Sequence, residues 1–399
     1  MESMAKRTEH EPLTHQTNGA GLYQAIGGQE VCRKLSEAFY GRVHRDPMLR
    51  PFFPGKSLRC AIEAFTAFLA QFLGGPPEHA QHRWWLSLHE SHQRFKIGHT
   101  ARNAWMKTML QALDEVAIAE PARSTLRGFF ERSSAYLVNT GRGSADPGET
   151  PEMPADGFHE EISRRWAAQR RLDDAVAALH GGEAARAIAF AEDATLQSYF
   201  LGSRTACCSL LGQMIASRNT ALLDYVKAKI DADPSLAHQR YSGRTLLHAA
   251  AAAGCLPMVE LLLHHGSDPD VRDSGGHTPL YCLANQCGCG GGDVVRALTG
   301  AGADVNAHDG VKHCTALHMA ARRDHVQIAA ALLDCGADIE ARDSLGDTPL
   351  RRAVNCNQTG VASLLLTRGA HRHSKGSKGL TPRSAARTDA MRRLMQSRG

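Results

Sequence analysis

Histidine is concentrated in one stretch of this sequence. His79, His82, His89 and His92 lie close together, the last two within Leu88-His-Glu-Ser-His92-Gln-Arg-Phe95-Lys-Ile-Gly98. A neutral imidazole can ligate a transition metal or exchange a proton near neutral pH. His89 and His92 are three residues apart and on a helix would share a face, so they are rivals for a single role. Zinc held by these four would lack an acid or thiol partner. The residues alone therefore leave open a lone metal ligand or an ordinary surface or core histidine. Tyr40 and Trp105 carry an O–H and an indole N–H that can face a ligand or merely pack. Cys282, Cys287 and Cys289 form too loose a set for a metal site and read as an inert or redox-sensitive loop. From Arg368 to Gly399 nine Lys and Arg stand against one acid, Asp389. No aromatic interleaves them, so this end reads as a solvated cap rather than a nucleic-acid surface.

The elements that would position these groups are helical. Apolar residues recur at three and four in Val31, Leu35, Phe39 and Val43, and again in Ile62, Phe65, Phe68, Leu69 and Phe72. Pro51, Pro54 and Gly74-Gly75-Pro76-Pro77 interrupt the pattern as helix breakers. Further helices are expected from about Thr100 through Leu113 and from about Arg123 to Leu137. Nothing between 20 and 140 reads as strand, which predicts an all-α domain. Residues 1–19 are polar and read as a disordered N-terminus. Residues 141–156, rich in Pro, Gly and acids, read as a linker.

With 399 residues, 22% of them charged, and a net charge of +5, the chain is an ordinary globular protein of two or three domains. The eleven cysteines follow no disulfide framework and read as reduced thiols. No stretch approaches the roughly 18 apolar residues a bilayer crossing needs. The first residues lack the apolar segment of a signal peptide. A cytoplasmic protein without a membrane partner is expected.

Beyond the linker a repeat sets in. Thr245-Leu-Leu-His248, Thr278-Pro-Leu-Tyr281, Thr315-Ala-Leu-His318, Thr348-Pro-Leu-Arg351 and Thr381-Pro-Arg383 start units at intervals of 33, 37, 33 and 33 residues. A glycine-led closing motif follows at Gly266, Gly302, Gly336 and Gly369. Period, start and close together resemble the ankyrin repeat. The resemblance implies a helical solenoid over 241–399 that docks a protein partner. His248 and His318 are then expected to bond backbone at helix starts, and the longer interval to hold an insertion near Gly288–Gly292. Residues 157–240 look helical but lack the start motif, and read as degenerate repeats or a helical cap.

Residues 20–140 resemble the group II truncated haemoglobins, the short two-over-two globins. The landmarks are Gly27-Gly28, Phe39-Tyr40, Arg45-Asp-Pro47, Leu49-Arg-Pro-Phe-Phe53-Pro, Gly74-Gly75-Pro76, His92-x-x-Phe95 and Ala104-Trp105. The resemblance covers about 30% of the chain. It implies haem b, with His92 as the axial ligand to iron. Phe53 matches an aromatic packed on the haem face, a place more often held by tyrosine, so one distal donor is missing. Tyr40 and Trp105 match the distal donor pair. Ala61 stands where larger globins place a distal histidine, with Phe65 one turn on and Phe95 after the proximal histidine. Arg94 and Lys96 are candidate partners for haem propionates.

The expected function follows: binding of dioxygen or another diatomic ligand by the globin, with the repeats as a protein-interaction module in a sensor or a localised redox device. Donors fixed in a dry pocket stabilise charge on a bound ligand and slow its release, which suits sensing or redox chemistry better than delivery. One alternative is a haem-dependent nitric oxide dioxygenase or peroxidase supplied by an external reductase. Another is an ankyrin scaffold with a vestigial globin. Whether the chain is an enzyme stays open at this point.

Overall fold

The computed structural model describes residues 21–53, 58–76, 92, 95–140, 157–198, 204–287, 290–376 and 379–396. The expected N-terminal tail 1–19, the linker 141–156, His79, His82, His89, Arg94 and Cys289 lie outside the described residues. Among the described residues every regular element is helical, apart from isolated bridges at Tyr241–Arg244 and Asp309–Cys314. The protein is all-α. No helix among them is long and apolar enough to cross a membrane. Two compact units divide the chain. One takes in residues 21–76 and 95–164, and the other takes in residues 165–396 together with His92.

In the first unit α1 is Leu22–Ala25, α2 Gly28–Val43, α3 Arg59–Phe72, α4 His99–Glu115 and α5 Ala122–Tyr136. Consecutive left-handed residues, Gly27 at φ +105° and Gly28 at φ +65°, stop α1 and turn the chain into α2. At the far end of α3, the Tyr23 N–H donates to the Leu73 carbonyl at 3.2 Å. A Cβ on Gly75 would lie 2.7 Å from the Tyr23 ring, so only glycine lets this corner close. Helix α2 packs on α3 and α4, and α4 on α5. The stripe expected on α2 delivers Leu35, Phe39 and Val43 to the core, where Leu69, Phe72, Met109, Leu126 and Phe130 are also buried.

The second unit is a stack of helix pairs on one continuous apolar core running from Ala168 to Met395. Helix α6 (Gly157–His180) enters this unit at Arg165, and α7 (Ala184–Ala191), α8 (Arg204–Ser217) and α9 (Thr220–Ala232) follow it. Helix α8 packs on the first helix of the repeat array. The array pairs α10 (Leu246–Ala253) with α11 (Leu256–His264), and α12 (Pro279–Gln286) with α13 (Gly292–Gly300). It continues with α14 (Ala316–Arg323) and α15 (Val326–Asp334), then α16 (Pro349–Asn355) and α17 (Thr359–Thr367). Helices α18 (Pro382–Ala385) and α19 (Asp389–Gln396) close it. In the 37-residue unit the second helix begins 13 residues after the first, against 10 in the other three pairs, so most of the insertion is the expected turn.

The five start threonines are N-caps of α10, α12, α14, α16 and α18. In the first and third units a buried histidine completes the cap. His318 Nδ1 accepts from the Thr315 N–H at 3.2 Å, and its Nε2 lies 2.9 Å from the Asp347 carbonyl of the next unit. His248 does the same with Thr245 and His277. Tyr281 cannot play this part in the second unit. There the Thr278 N–H and hydroxyl both donate to buried Asp309, at 2.9 and 2.6 Å. In the fourth unit buried Arg351 donates to the Leu380 carbonyl and pairs with Asp347 at 2.6 Å. Each of these joints is thus tied to the next unit through a side chain, a histidine in two of them and Asp309 and Arg351 in the others.

Candidate functional site

The expected site residues of the first unit come from five separate segments. Tyr40 lies on α2, Ala61 and Phe65 one turn apart on α3, and Trp105 on α4. Phe53 follows a 3-10 turn at Arg50–Phe52, and Phe95 precedes α4. Spacing explains the meeting on each helix, since residues three and four apart share a face.

Four of the six meet in one aromatic cluster around Phe39. Its ring centroid lies 5.0 Å from Tyr40, 5.9 Å from Phe65 and 5.3 Å from Trp105. Tyr40 meets Phe53 edge-on at 5.3 Å and Phe65 at 6.2 Å. Phe130 of α5 closes the far side, 5.9 Å from Trp105 and 6.4 Å from Phe65. Such tilted and edge-to-face pairs are the preferred aromatic geometry. Phe95 stands apart and packs edge-on against Phe52 at 5.9 Å.

Phe39 and Phe130 are sealed in the core, whereas Phe53, Ala61, Phe65, Phe95 and Trp105 are all half-buried. Half-buried apolar side chains from several segments leave an apolar wall that a closed core would cover. Tyr40 is 8% exposed, and burial pushes its phenol well above the usual range. Neither its hydroxyl nor the Trp105 indole N–H bonds to another described residue, as far as the hydrogen bonds extend. A flat apolar macrocycle with a polar diatomic ligand suits this wall. The rings supply apolar faces, and the two donors are unspent.

His92 is helical and half-buried. The segment just after it is held by a residue that the sequence did not single out. Asn139, beyond α5, accepts from the Ile97 N–H at 2.8 Å and donates to the Phe95 carbonyl at 2.8 Å. The Asn139 and Thr140 N–H groups both donate to the Ile97 carbonyl, at 2.9 and 3.1 Å. Arg102 adds a tie from α4 to α5 through the Ser134 hydroxyl at 3.1 Å and the Glu131 carbonyl at 3.2 Å. A single asparagine more than forty residues from its partners leaves no trace in local pattern. Phe130 was more accessible to reading, because Phe129-Phe130 falls on the apolar face of a recognisable helix.

Comparison with known proteins matches this architecture in both parts. A family model described as bacterial-like globin matches residues 21–138, and one for ankyrin repeats matches 213–309 and 284–375. The chain is 34% identical over 117 residues to group 2 truncated hemoglobin YjbI of Bacillus subtilis (strain 168), covering 29% of this chain and 87% of that protein. It is 32% identical over 120 residues to group 2 truncated hemoglobin 3-1 of Lotus japonicus, covering 29% of this chain and 71% of that protein. Further along it is 40% identical over 141 residues to ankyrin repeat and SOCS box protein 11 of Danio rerio, covering 34% of this chain and 46% of that protein. The chain therefore belongs, through its N-terminal domain, to the group 2 truncated haemoglobins, and it carries ankyrin repeats C-terminal to that domain.

Proposed function

We propose that the globin domain, residues 20–140, binds haem b and through it dioxygen or another diatomic ligand, while the repeats dock a protein partner. The observation that carries this reading is the pair of unspent donors, Tyr40 O–H and Trp105 N–H, on a half-buried aromatic wall. Haem, when bound, supplies the iron that takes the diatomic ligand. His92 would hold the haem iron through a neutral imidazole nitrogen. Phe53 would pack against the haem, and Ala61, Phe65 and Phe95 would keep its surroundings apolar. Tyr40 and Trp105 would donate to the ligand that haem binds, with strength raised by the low local dielectric.

Slow ligand release from such a pocket favours sensing or local redox work over delivery. Reduced thiols support a cytoplasmic setting.

Absorption spectra of the full chain and of His92→Ala, ferric, ferrous and with carbon monoxide, test the reading. A strong Soret band that shifts with ligand, and that His92→Ala loses or alters in ligation, is the expected result. Protein expressed with ample haem but showing no band would make the globin vestigial and leave the repeats as a scaffold.

A further inference from the structure

Charge on the inner helices of the array is confined to one end. Helices α10 and α12 read Leu-Leu-His-Ala-Ala-Ala-Ala-Ala and Pro-Leu-Tyr-Cys-Leu-Ala-Asn-Gln, with no acid and no Lys or Arg. Helices α14, α16 and α18 hold Arg322, Arg323, Arg351, Arg352 and Arg383 and no acid, and Arg387 follows α18. These three helices are neighbours in the stack, α14 against α16 and α16 against α18.

The nearby acids are already engaged. Asp347 pairs with buried Arg351 at 2.6 Å, and Asp343, its side chain fully covered, pairs with Arg352 at 2.5 Å. Asp324 accepts from the Val361 N–H at 2.8 Å. Arg323 donates to Asn285 Oδ1 at 3.0 Å. Arg322 and Arg387 are exposed, and neither pairs with an acid among the described residues. The positive charge of Arg322 and Arg387 is therefore not neutralised by an acid among the described residues.

A groove of about 440 Å³ is lined among others by Leu345, Asp347, Arg351, Arg352, Leu380 and Arg387. Arg322 stands outside it, on the neighbouring helix α14 that packs on α16. Leu345 and Leu380 are 50% and 46% exposed. Cationic groups next to exposed leucines suit a segment that carries both carboxylates and an apolar side chain. An extended peptide points alternate residues to opposite faces and can present both. The inner helices of these repeats hold no aromatic on which nucleic-acid bases could stack, which disfavours single-stranded nucleic acid.

We propose that the last three repeats dock an acidic, extended segment of a partner protein, with one carboxylate on Arg387 in the groove, an apolar side chain between Leu345 and Leu380, and a further carboxylate on Arg322 of the adjoining helix. This rests on the reading of the array as a protein-docking module and specifies the chemistry of its partner.

The test uses the full chain and three fluorescent probes: a peptide of about twelve residues, glutamate-rich with interspersed leucines, the same peptide with lysine for glutamate, and a single-stranded DNA of similar negative charge. The glutamate peptide is expected to bind best and to weaken with salt. Arg322→Glu with Arg387→Glu should weaken it at least tenfold and Leu345→Ala a few-fold. Arg186→Glu, on a distant helix, should leave it unchanged. Circular dichroism confirms that each variant is folded, and Arg387→Gln gives a milder version of the charge change. Glutamate-peptide binding that ignores the arginine variants, or DNA binding more tightly than the peptide, overturns the proposal. A lysine peptide that binds more tightly overturns it while leaving the docking reading in place. No binding by any probe to folded protein overturns the proposal and removes support from the docking reading as well.

Discussion

Asn139 and Phe95 are joined by one side-chain bond, from the asparagine Nδ2–H to the Phe95 carbonyl at 2.8 Å, across 44 residues of sequence. The same side chain receives the Ile97 N–H, so both halves of the amide are used. The chain entering α4 is thereby pinned to the end of α5. The segment is exposed, so each bond contributes modestly, about 0.5–1 kcal/mol net. Asn139→Ala should therefore cost about 1–2 kcal/mol of stability and speed hydrogen exchange at the Ile97 amide roughly tenfold or more. Asn139→Asp keeps the acceptor and loses the donor, and should fall between the two. An Ile97 amide that exchanges equally slowly in Asn139→Ala would show that the backbone bonds from Asn139 and Thr140 suffice.

Tyr40 separates folding from ligand binding. Its hydroxyl bonds to no other described residue, so Tyr40→Phe removes no protein contact there. Stability in urea should change by less than about 0.5 kcal/mol. The ligand loses a donor, and its dissociation should accelerate about tenfold, equivalent to about 1.4 kcal/mol. Stopped-flow displacement measures this directly. A large loss of stability with unchanged dissociation would mean that Tyr40 is a packing residue.

How far the sequence could be read depended on the range of the interactions. The helices around Phe39, Phe65 and Trp105 follow from apolar spacing, and the array follows from threonines that each begin a helix, because both signals are local. Asn139 was invisible because its partners are distant and a surface asparagine has no pattern. Asp309 and Arg351 were missed for another reason. The repeat motif marks Tyr281 and Arg351 as departures from histidine, yet it does not say that a carboxylate from the next unit would bond Thr278, or that a guanidinium would span to Leu380. In both units a side chain still ties one repeat to the next, by a different bond.

Gly212 is required by a neighbour outside its own helix. A Cβ there would sit inside contact distance of the Tyr241 hydroxyl and 2.8 Å from its Cζ. Tyr241 is 2% exposed and has no room to withdraw. Gly212→Ala should destabilise the array by about 1–3 kcal/mol despite alanine's better helix propensity. Adding Tyr241→Phe should recover part of that loss, since it removes the clashing oxygen but leaves the ring carbon. Additive effects of the two changes in urea unfolding would show that the residues do not meet.

The buried cap histidines make the array acid-sensitive in a defined window. His318 is held neutral: burial lowers its pKa to about 4, outweighing the opposing hydrogen bond to the Asp347 carbonyl. Protonation would turn Nδ1 from an acceptor into a donor facing the Thr315 N–H and hydroxyl, at 3.2 and 2.8 Å. In the unfolded chain the same imidazole titrates near 6.5. The unfolded state therefore binds the proton more readily between these values, and stability falls as pH falls below about 6.5. Above that pH the contribution is fully present. Between pH 7 and 5 His318 alone should remove about 2 kcal/mol, before most carboxylates begin to titrate. His248, shifted the same way by burial, adds to the effect. Urea unfolding of the full chain across this range, followed by a probe on the repeats, should show the decline. His318→Gln should be less stable at pH 7 but lose less on acidification. An equal slope in wild type and variant would assign the acid sensitivity to other groups.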